Sequence, residues 1–404
     1  MGTDRIVVTG MGIMTPIGNN LEDFSAAIFE GENGIGPITA FDVSHHDIQH
    51  GGEVKGFEPE YYFERLNHED FDRSTQFAVA TSKKALQMAN IKHGFYDSRK
   101  LGCIFGTTMG NQQIPEKYND MLAGKKEEIK YQLRNFQPSA ITSAVAAELG
   151  LKGPNLVIPT ACAAGNYAIG YGADLIKSKR ADCVICGGSD AMSRVCYTMF
   201  SRLGAMSPDL CRPFDKDRHG MIVSEGAAAL VLESYEKAKE RNATIYAEIL
   251  GYGNSCDAYH VTAPHPEGQG AMLAINKAIA SSGVNKSDIG YISAHGTGTK
   301  ANDTAESYAL SQVFGDIISE IPISSIKSMF GHTMGAAAAI EAVASILVLN
   351  KGRLPINMNL EHLDPSIGLN VVNKSTIAEN TKYILSNSFA FGGNISCIIL
   401  GQEK

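Results

Sequence analysis

The 404-residue chain has no excess of basic charge, since 35 Lys and Arg stand against 43 Asp and Glu for a formal charge of −8. That balance excludes broad binding to nucleic acid or to an anionic membrane surface, so an acidic partner must meet a local basic patch. Long hydrophobic runs are lacking as well. The most apolar stretch, Gly335 to Leu349, is interrupted by Glu341 and is shorter than a membrane span. The start carries no charged n-region followed by an apolar h-region and reads as a strand through Ile6-Val7-Val8. Ile6 also stands where a myristoylation signal needs Ser or Thr. The eight cysteines are therefore expected as reduced thiols in a cytoplasmic protein. No low-complexity tether divides the chain, and the charged run Glu236 to Arg241 reads as the end of a helix.

Two cofactor patterns are missing their essential parts. After Gly10-Met11-Gly12 the third glycine of a dinucleotide fingerprint is replaced by Thr15, and Pro16 follows where the helix should begin. His45, His46 and His50 lie in a polar loop, and Cys183 and Cys186 sit in an apolar strand with no second ligand pair, so no metal site is expected.

Glycine, at 41 residues, is abundant and falls in clusters between apolar runs, with no collagen period. Short β-branched runs recur at Ile6 to Val8, Cys103 to Phe105, Leu156 to Ile158, Cys183 to Cys186 and Ala229 to Leu232. Most are bounded by Gly or Pro and have alanine-rich helical segments nearby. That alternation predicts an α/β protein with central strands covered on both faces. Gly187 and Gly188, after one such strand, read as ordinary turn and packing positions. The segments Thr160 to Gly165 and Gly331 to Ala336 look alike, and each opens a small-residue helix, ending near Lys179 and Lys351. The likeness points to an internal duplication with halves 1–245 and 246–404 packed as one body.

Cys162 stands between an extended run and a helix of small residues. A helix N-terminus there can lower a thiol pKa below its free value of about 8.5 and bind a developing oxyanion; the competing reading is a buried packing cysteine. His295, in His295-Gly296-Thr297-Gly298-Thr299, and His332, in Lys327-Ser328-Met329-Phe330-Gly331-His332, occupy comparable glycine-bounded strand ends. A cysteine with two imidazoles can hold a thioester, stabilise an enolate and shuttle protons near neutral pH, with Lys327 adding positive charge.

Thr160-Ala161-Cys162 and these two histidine blocks resemble the signature blocks of the β-ketoacyl-acyl-carrier-protein synthases of the elongating type II group. The likeness spans nearly the whole chain, including Arg212-Pro213-Phe214-Asp215-Lys216-Asp217-Arg218 and Asn387-Ser388-Phe389-Ala390-Phe391-Gly392-Gly393. It implies a thiolase-like five-layered α-β-α-β-α fold and a dimer. It also implies that Cys162 takes the acyl chain and that His295 and His332 promote decarboxylation of the malonyl carrier. By the same resemblance Cys162 and Phe391 supply the oxyanion hole, with Phe391 as a gate. Thr297 and Thr299 bind the phosphopantetheine arm that arrives on the acyl carrier protein, and Met109 floors the acyl pocket. Lys327, Asp303, Glu306 and Glu341 form a supporting polar network, and a monovalent cation near Glu341 and Asn387 is an expectation from relatives.

The chain departs from the fatty-acid members at two places. Ala390 precedes the gating Phe391 where they commonly have glycine, and an alanine does not enter positive φ cheaply. The helix that carries their basic carrier-binding cluster reads Arg65-Leu66-Asn67-His68-Glu69-Asp70 here, with one cation, which throws docking onto residues such as Lys130, Arg134 or Arg202, or onto a differently charged carrier. Phe71 to Phe77 and His295 to Thr299 look closer to polyketide ketosynthases, which with these departures points to a type II polyketide or polyene condensing enzyme rather than housekeeping fatty-acid synthesis. A degradative thiolase would want a second reactive cysteine near the end, whereas Cys397 lies in an apolar strand. The paired histidines set the chain apart from the initiating synthases, which use His and Asn. The alternative is a non-elongating partner in a ketosynthase complex, either chain-length-factor-like or a malonyl carrier decarboxylase; a chain-length factor would lack Cys162, so the chain is expected as the active partner, in a homodimer or beside such a factor.

Overall fold

The computed structural model describes residues 5–92, 94–125, 129, 132–378 and 381–403. Ten of the eleven strands of one continuous sheet fall into two mixed five-stranded sheets joined at their edges, and the eleventh, Asn370–Val371, pairs in parallel with Pro322–Ser324 at the outer edge. β1 (Ile6–Met14), β2 (Leu101–Gly106), β3 (Asn155–Ile158), β4 (Cys183–Asp190) and β5 (Gly226–Ser234) form the first. β6 (Ala247–Cys256), β7 (Ile289–Ser293), β8 (Pro322–Ser324), β9 (Tyr383–Phe389) and β10 (Asn394–Gly401) form the second. The strand order is β3-β2-β4-β5-β1 in one and β8-β7-β9-β10-β6 in the other. Directions match too: β2 runs parallel to β3 and β4 as β7 does to β8 and β9, and the remaining pairs are antiparallel in both sheets. The sheets join where β1 meets β6 through Ile6↔Ile249, Val7↔Glu248 and Val8↔Ala247.

Helices repeat with the strands: α1 (Arg73–Ala89), α2 (Ser139–Leu149) and α3 (Ala164–Lys177) correspond to α4 (Gln269–Ser282), α5 (Lys300–Phe314) and α6 (Ala337–Lys351). The pairs α1/α2 and α4/α5 cover the outer faces, while α3 and α6 pack on each other between the sheets. This is the expected five-layered arrangement. α6 is apolar around its whole circumference and buried from Ala337 to Leu349, as a helix packed on every side must be. The run Met334–Lys351 is long and apolar enough to cross a membrane by composition, yet 89% of it is inside the molecule.

Three local expectations change. Gly187 and Gly188 lie inside β4 rather than in a turn; a Cβ on Gly188 would sit 2.5 Å from the Gly335 carbonyl oxygen, so glycine there permits backbone contact between layers. The run from Glu236 belongs to a short helix of its own, Tyr235–Glu240, whose N-cap Ser234 accepts from Lys237 N. Arg65 to Asp70 is not a helix. Glu148 on α2 accepts the backbone N–H groups of Glu64, Arg65 and Leu66, and a single 3-10 turn, His68–Asp70, follows.

Candidate active site

The duplicated turns open the two central helices. Thr160 and Thr333 precede Ala161 and Met334, which adopt left-handed φ values of 49° and 52°. Such values are uncommon outside glycine and mark a strained turn held by its surroundings. The correspondence therefore runs Thr160 to Thr333 and Cys162 to Gly335, two residues on from laying the two look-alike hexapeptides end to end. Cys162 sits in the single 3-10 turn Ala161–Ala163 that leads into α3, 6% exposed, and its carbonyl accepts from Ser388 Oγ at 2.9 Å. A Cβ on Gly165 would lie 2.6 Å from Ala339 N, so the start of α3 touches the backbone of α6.

A cavity of about 380 Å³ opens onto this turn and is lined by Cys162, His295, His332, Thr297, Thr299 and Phe391, among others. His295 follows β7. Its backbone N–H and that of Gly296 donate to the two oxygens of Glu306 on α5, both at 2.8 Å, and Asn387 Nδ2 donates to Glu306 Oε1 at 3.2 Å. The Lys327 ammonium, buried and ion-paired with Glu341, donates to the His295 carbonyl at 2.7 Å and stands 3.4 Å from His295 Nδ1. The His295 and His332 rings are 5.4 Å apart at 82°.

Burial, and then the Lys327 charge, hold both imidazoles well below the usual histidine range, with His332 adding to the effect on His295. Both are neutral at pH 7, which replaces the expected shuttle titrating near neutrality. An ammonium has no acceptor, so His295 Nδ1 must accept from it; that assignment leaves the ring proton on Nε2 as a donor. His332 donates its backbone N–H to Ile222 O at 2.7 Å, and neither ring nitrogen has a hydrogen-bond partner among the described residues.

The thiol also departs from expectation. Burial pushes Cys162 up to about 12, with Lys327 pulling against it, so desolvation dominates the thiol. Iodoacetamide labelling of Cys162, followed by peptide mass to separate it from the exposed Cys256, should therefore accelerate about tenfold per pH unit from about pH 6 to 9. A plateau below pH 8 would show a stabilised thiolate instead.

The supporting residues divide into two groups. Glu306 serves His295 and Glu341 serves Lys327, whereas Asp303 accepts from Phe214 N at 2.9 Å and Gly298 N at 3.3 Å, so it braces the turn carrying Thr297 and Thr299. The hydroxyls of those threonines are 2.9 Å apart. Phe391 starts the 3-10 turn Phe391–Gly393, with its ring 5.7 Å from that of Phe200. Ala390 is extended at φ −131°, and positive φ falls on Gly392 and Gly393, so the alanine meets no backbone conflict in this turn. Met109 is not part of the cavity wall. It packs with Phe391 against a cluster containing Met192, Phe200, Met221 and Met334, an adaptable apolar surface.

Arg202 is exposed at the end of the helix Arg194–Arg202, next to the cavity-lining Leu203. Arg134 lies in the 3-10 turn Gln132–Asn135, and Lys130 lies outside the described residues. No three His, Cys, Asp or Glu residues are grouped to hold a metal among the described residues. Glu341 Oε2 and Asn387 Oδ1 are buried oxygens without hydrogen-bond partners there, a donor chemistry that suits a monovalent cation. The sequence reading missed Asp190, a fully buried carboxylate at the end of β4 that accepts from Thr107, Thr108, Met109 and Gly335. Its one signal was an acid closing an otherwise apolar, glycine-containing strand.

Comparison with known proteins agrees with this constellation. The sequence model for the beta-ketoacyl synthase N-terminal domain matches residues 3–238, and that for the C-terminal domain matches residues 246–361. The 3-oxoacyl-[acyl-carrier-protein] synthase 2 of Synechocystis is 40% identical over 96% of both chains, and that of Vibrio cholerae is 35% identical over 99% of both. Among solved structures, the ishigamide ketosynthase/chain length factor superimposes with a TM-score of 0.95 at 39% identity over 100% of both chains. A type II polyketide ketosynthase in complex with its acyl carrier protein gives a TM-score of 0.89 at 30% identity, again over 100% of both. With two family models tiling most of its length and a cysteine and two histidines meeting at one cavity, the chain belongs to the β-ketoacyl synthase family, enzymes of fatty-acid and polyketide biosynthesis.

Proposed function

We propose that the protein is a ketosynthase catalysing decarboxylative Claisen condensation of an acyl thioester with malonyl carrier protein. The convergence of Cys162, His295 and His332 on one cavity carries this reading. The Cys162 thiol attacks the acyl carrier thioester; the carrier leaves as its free thiol and acyl-Cys162 remains. Thr297 and Thr299 hold the phosphopantetheine arm of the incoming malonyl carrier, whose amides need fixed polar partners. The Nε2–H of His295 and a ring N–H of His332 donate to the malonyl thioester oxygen. As the bond to the carboxylate breaks, the electron pair enters the enolate and CO2 departs. The enolate carbon then bonds to the acyl carbon, while the backbone N–H groups of Cys162 and Phe391 stabilise the oxyanion. Collapse expels Cys162 as thiolate, which recovers a proton, and the product is a β-ketoacyl carrier two carbons longer.

Lys327 fixes the His295 tautomer in this scheme, and Glu306 fixes its backbone. A monovalent cation, where bound, would be held by Glu341 and Asn387 and would offset buried carboxylate charge.

We place the protein in a type II polyketide or polyene pathway rather than in housekeeping fatty-acid synthesis. Ala390 before the gate and the single cation in Arg65 to Asp70 support this, as does the likeness to a ketosynthase/chain length factor structure. Its partners in this reading are an acyl carrier protein and either a second copy or a chain-length factor. Incubation with malonyl carrier and a panel of acyl carriers, with product masses read, should give β-ketoacyl carriers two carbons longer; CO2 release without elongation would overturn the assignment. Weighing any subunit that co-purifies from the native host separates homodimer from heterodimer.

A further inference from the structure

We propose that Asp190 is a positioning residue that holds the Met109 loop, packed behind the cavity-lining Phe200 and Phe391, and the His332 turn in a single frame, an assignment that rests on the ketosynthase reading. Asp190 Oδ1 accepts from Thr107 Oγ1 at 2.7 Å and Met109 N at 2.9 Å. Its Oδ2 accepts from Thr108 N at 2.7 Å and Gly335 N at 2.7 Å. Four donors fill the lone pairs of one ionised carboxylate, the strongest kind of acceptor for N–H groups. Three of the donors belong to the loop after β2 that carries Met109. The fourth belongs to the turn joining His332 to α6, one residue beyond the strained Met334.

The contact is tight. A Cβ on Gly335 would lie 2.5 Å from Thr108 N, so the loop and the turn meet backbone to backbone and the carboxylate clamps both. Burial pushes Asp190 up to about 6 despite these donors. The arrangement has a counterpart in the other half. Cys162 and Gly335 are matching positions of the duplicated turn. The Cys162 carbonyl is held by Ser388 near the end of β9, and the Gly335 N–H by Asp190 at the end of β4. The fourth strand of each half thus braces the turn of the other, and the Asp190 brace reaches the loop carrying Met109 as well.

Asp190→Asn keeps the shape but replaces one oxygen by an amide NH2, which must then face donors. The arrangement of lower cost turns the NH2 toward the Oδ1 side, where the Thr107 hydroxyl can rotate to accept. Gly110 N already donates to that hydroxyl at 2.8 Å, and Met109 N loses its acceptor. Release of Met109 first loosens the packing behind Phe200 and Phe391, which line the cavity, and loss of the charge then loosens Gly335 and the His332 turn.

The test measures Cys162 loading from acyl carriers of graded length, malonyl carrier decarboxylation, and melting temperature, on the full chain with any native partner. Asp190→Asn should reduce the ratio of kcat/KM between the best and worst acyl chains by about fivefold. It should also lower kcat for decarboxylation about tenfold with KM for malonyl carrier unchanged, as expected when donors are misplaced rather than binding lost. Asp190→Glu, which keeps the charge, should restore part of both. Thr107→Val should shift length preference in the same direction, more weakly, with decarboxylation intact.

An unchanged length preference in folded Asp190→Asn overturns the assignment, as does an equal loss of every activity in step with melting temperature. If Asp190→Asn does not fold, unchanged preference in Thr107→Val overturns it. A wild-type protein inactive in both half-reactions sinks the ketosynthase reading itself, whereas an active wild type with indifferent variants sinks the role of Asp190 alone.

Discussion

Cys162→Ala should abolish acyl transfer and condensation while leaving malonyl carrier decarboxylation. Without Sγ there is no atom to hold the acyl group, so formation of acyl-enzyme falls by at least about 10⁴, as for loss of other covalent nucleophiles. The surroundings are spared: the turn already consists of small residues, and the bond from Ser388 reaches the Cys162 carbonyl rather than its side chain. His295, His332 and Lys327 keep their places, so the donors that stabilise the enolate remain. Intact-protein mass after exposure to acyl carrier checks the first half, and CO2 release from malonyl carrier checks the second. Unimpaired elongation by the variant would remove Cys162 from the mechanism.

His332→Ala should show the opposite division. Loss of one of two donors aimed at a developing enolate costs on the order of 10²–10³ in rate, about 2.7–4 kcal/mol, as for other oxyanion donors. Decarboxylation and condensation should fall by that factor, with acyl loading within about threefold of wild type. Neither ring nitrogen of His332 has a protein partner among the described residues, so alanine leaves no buried group newly unpaired there. Lys327 would be a poorer probe because its removal strands the buried Glu341. Loading and decarboxylation rates measured on one preparation decide the point; an equal loss of loading would assign His332 to activation of Cys162.

Much of this site was legible in the sequence because the chemistry sits where chain geometry is restricted. Ala and Gly around Cys162 announced close packing, and the glycines beside His295 and His332 announced turns that only glycine enters easily. The strands around Ile6, Cys103, Leu156, Cys183 and Ala229 were visible through their apolar runs. Properties set by three-dimensional burial were hidden. The direction of the Cys162 and histidine shifts depends on desolvation, which no local motif reports, and so the expected low-pKa thiol is a protonated one. The register of the duplication was masked by similar small residues, and the paired left-handed residues Ala161 and Met334 fix it. Asp190 was invisible for a plainer reason: its partners lie 82 and 145 residues away along the chain, at Thr108 and Gly335.

The crossed bracing of the two turns bears on how this protein can be cut and recombined. A break near Arg241 to Tyr246 would fall between the two sheets and look like a seam between modules. Yet the first half would carry Cys162 without Ser388 behind it, and the second would carry both histidines without the carboxylate behind Gly335. Chimeras made at that point inherit each brace from one parent and its target from the other. Residues at the tips of β4 and β9 therefore have to be exchanged together with the turns they hold in the other half, so a working exchange has to cross the seam.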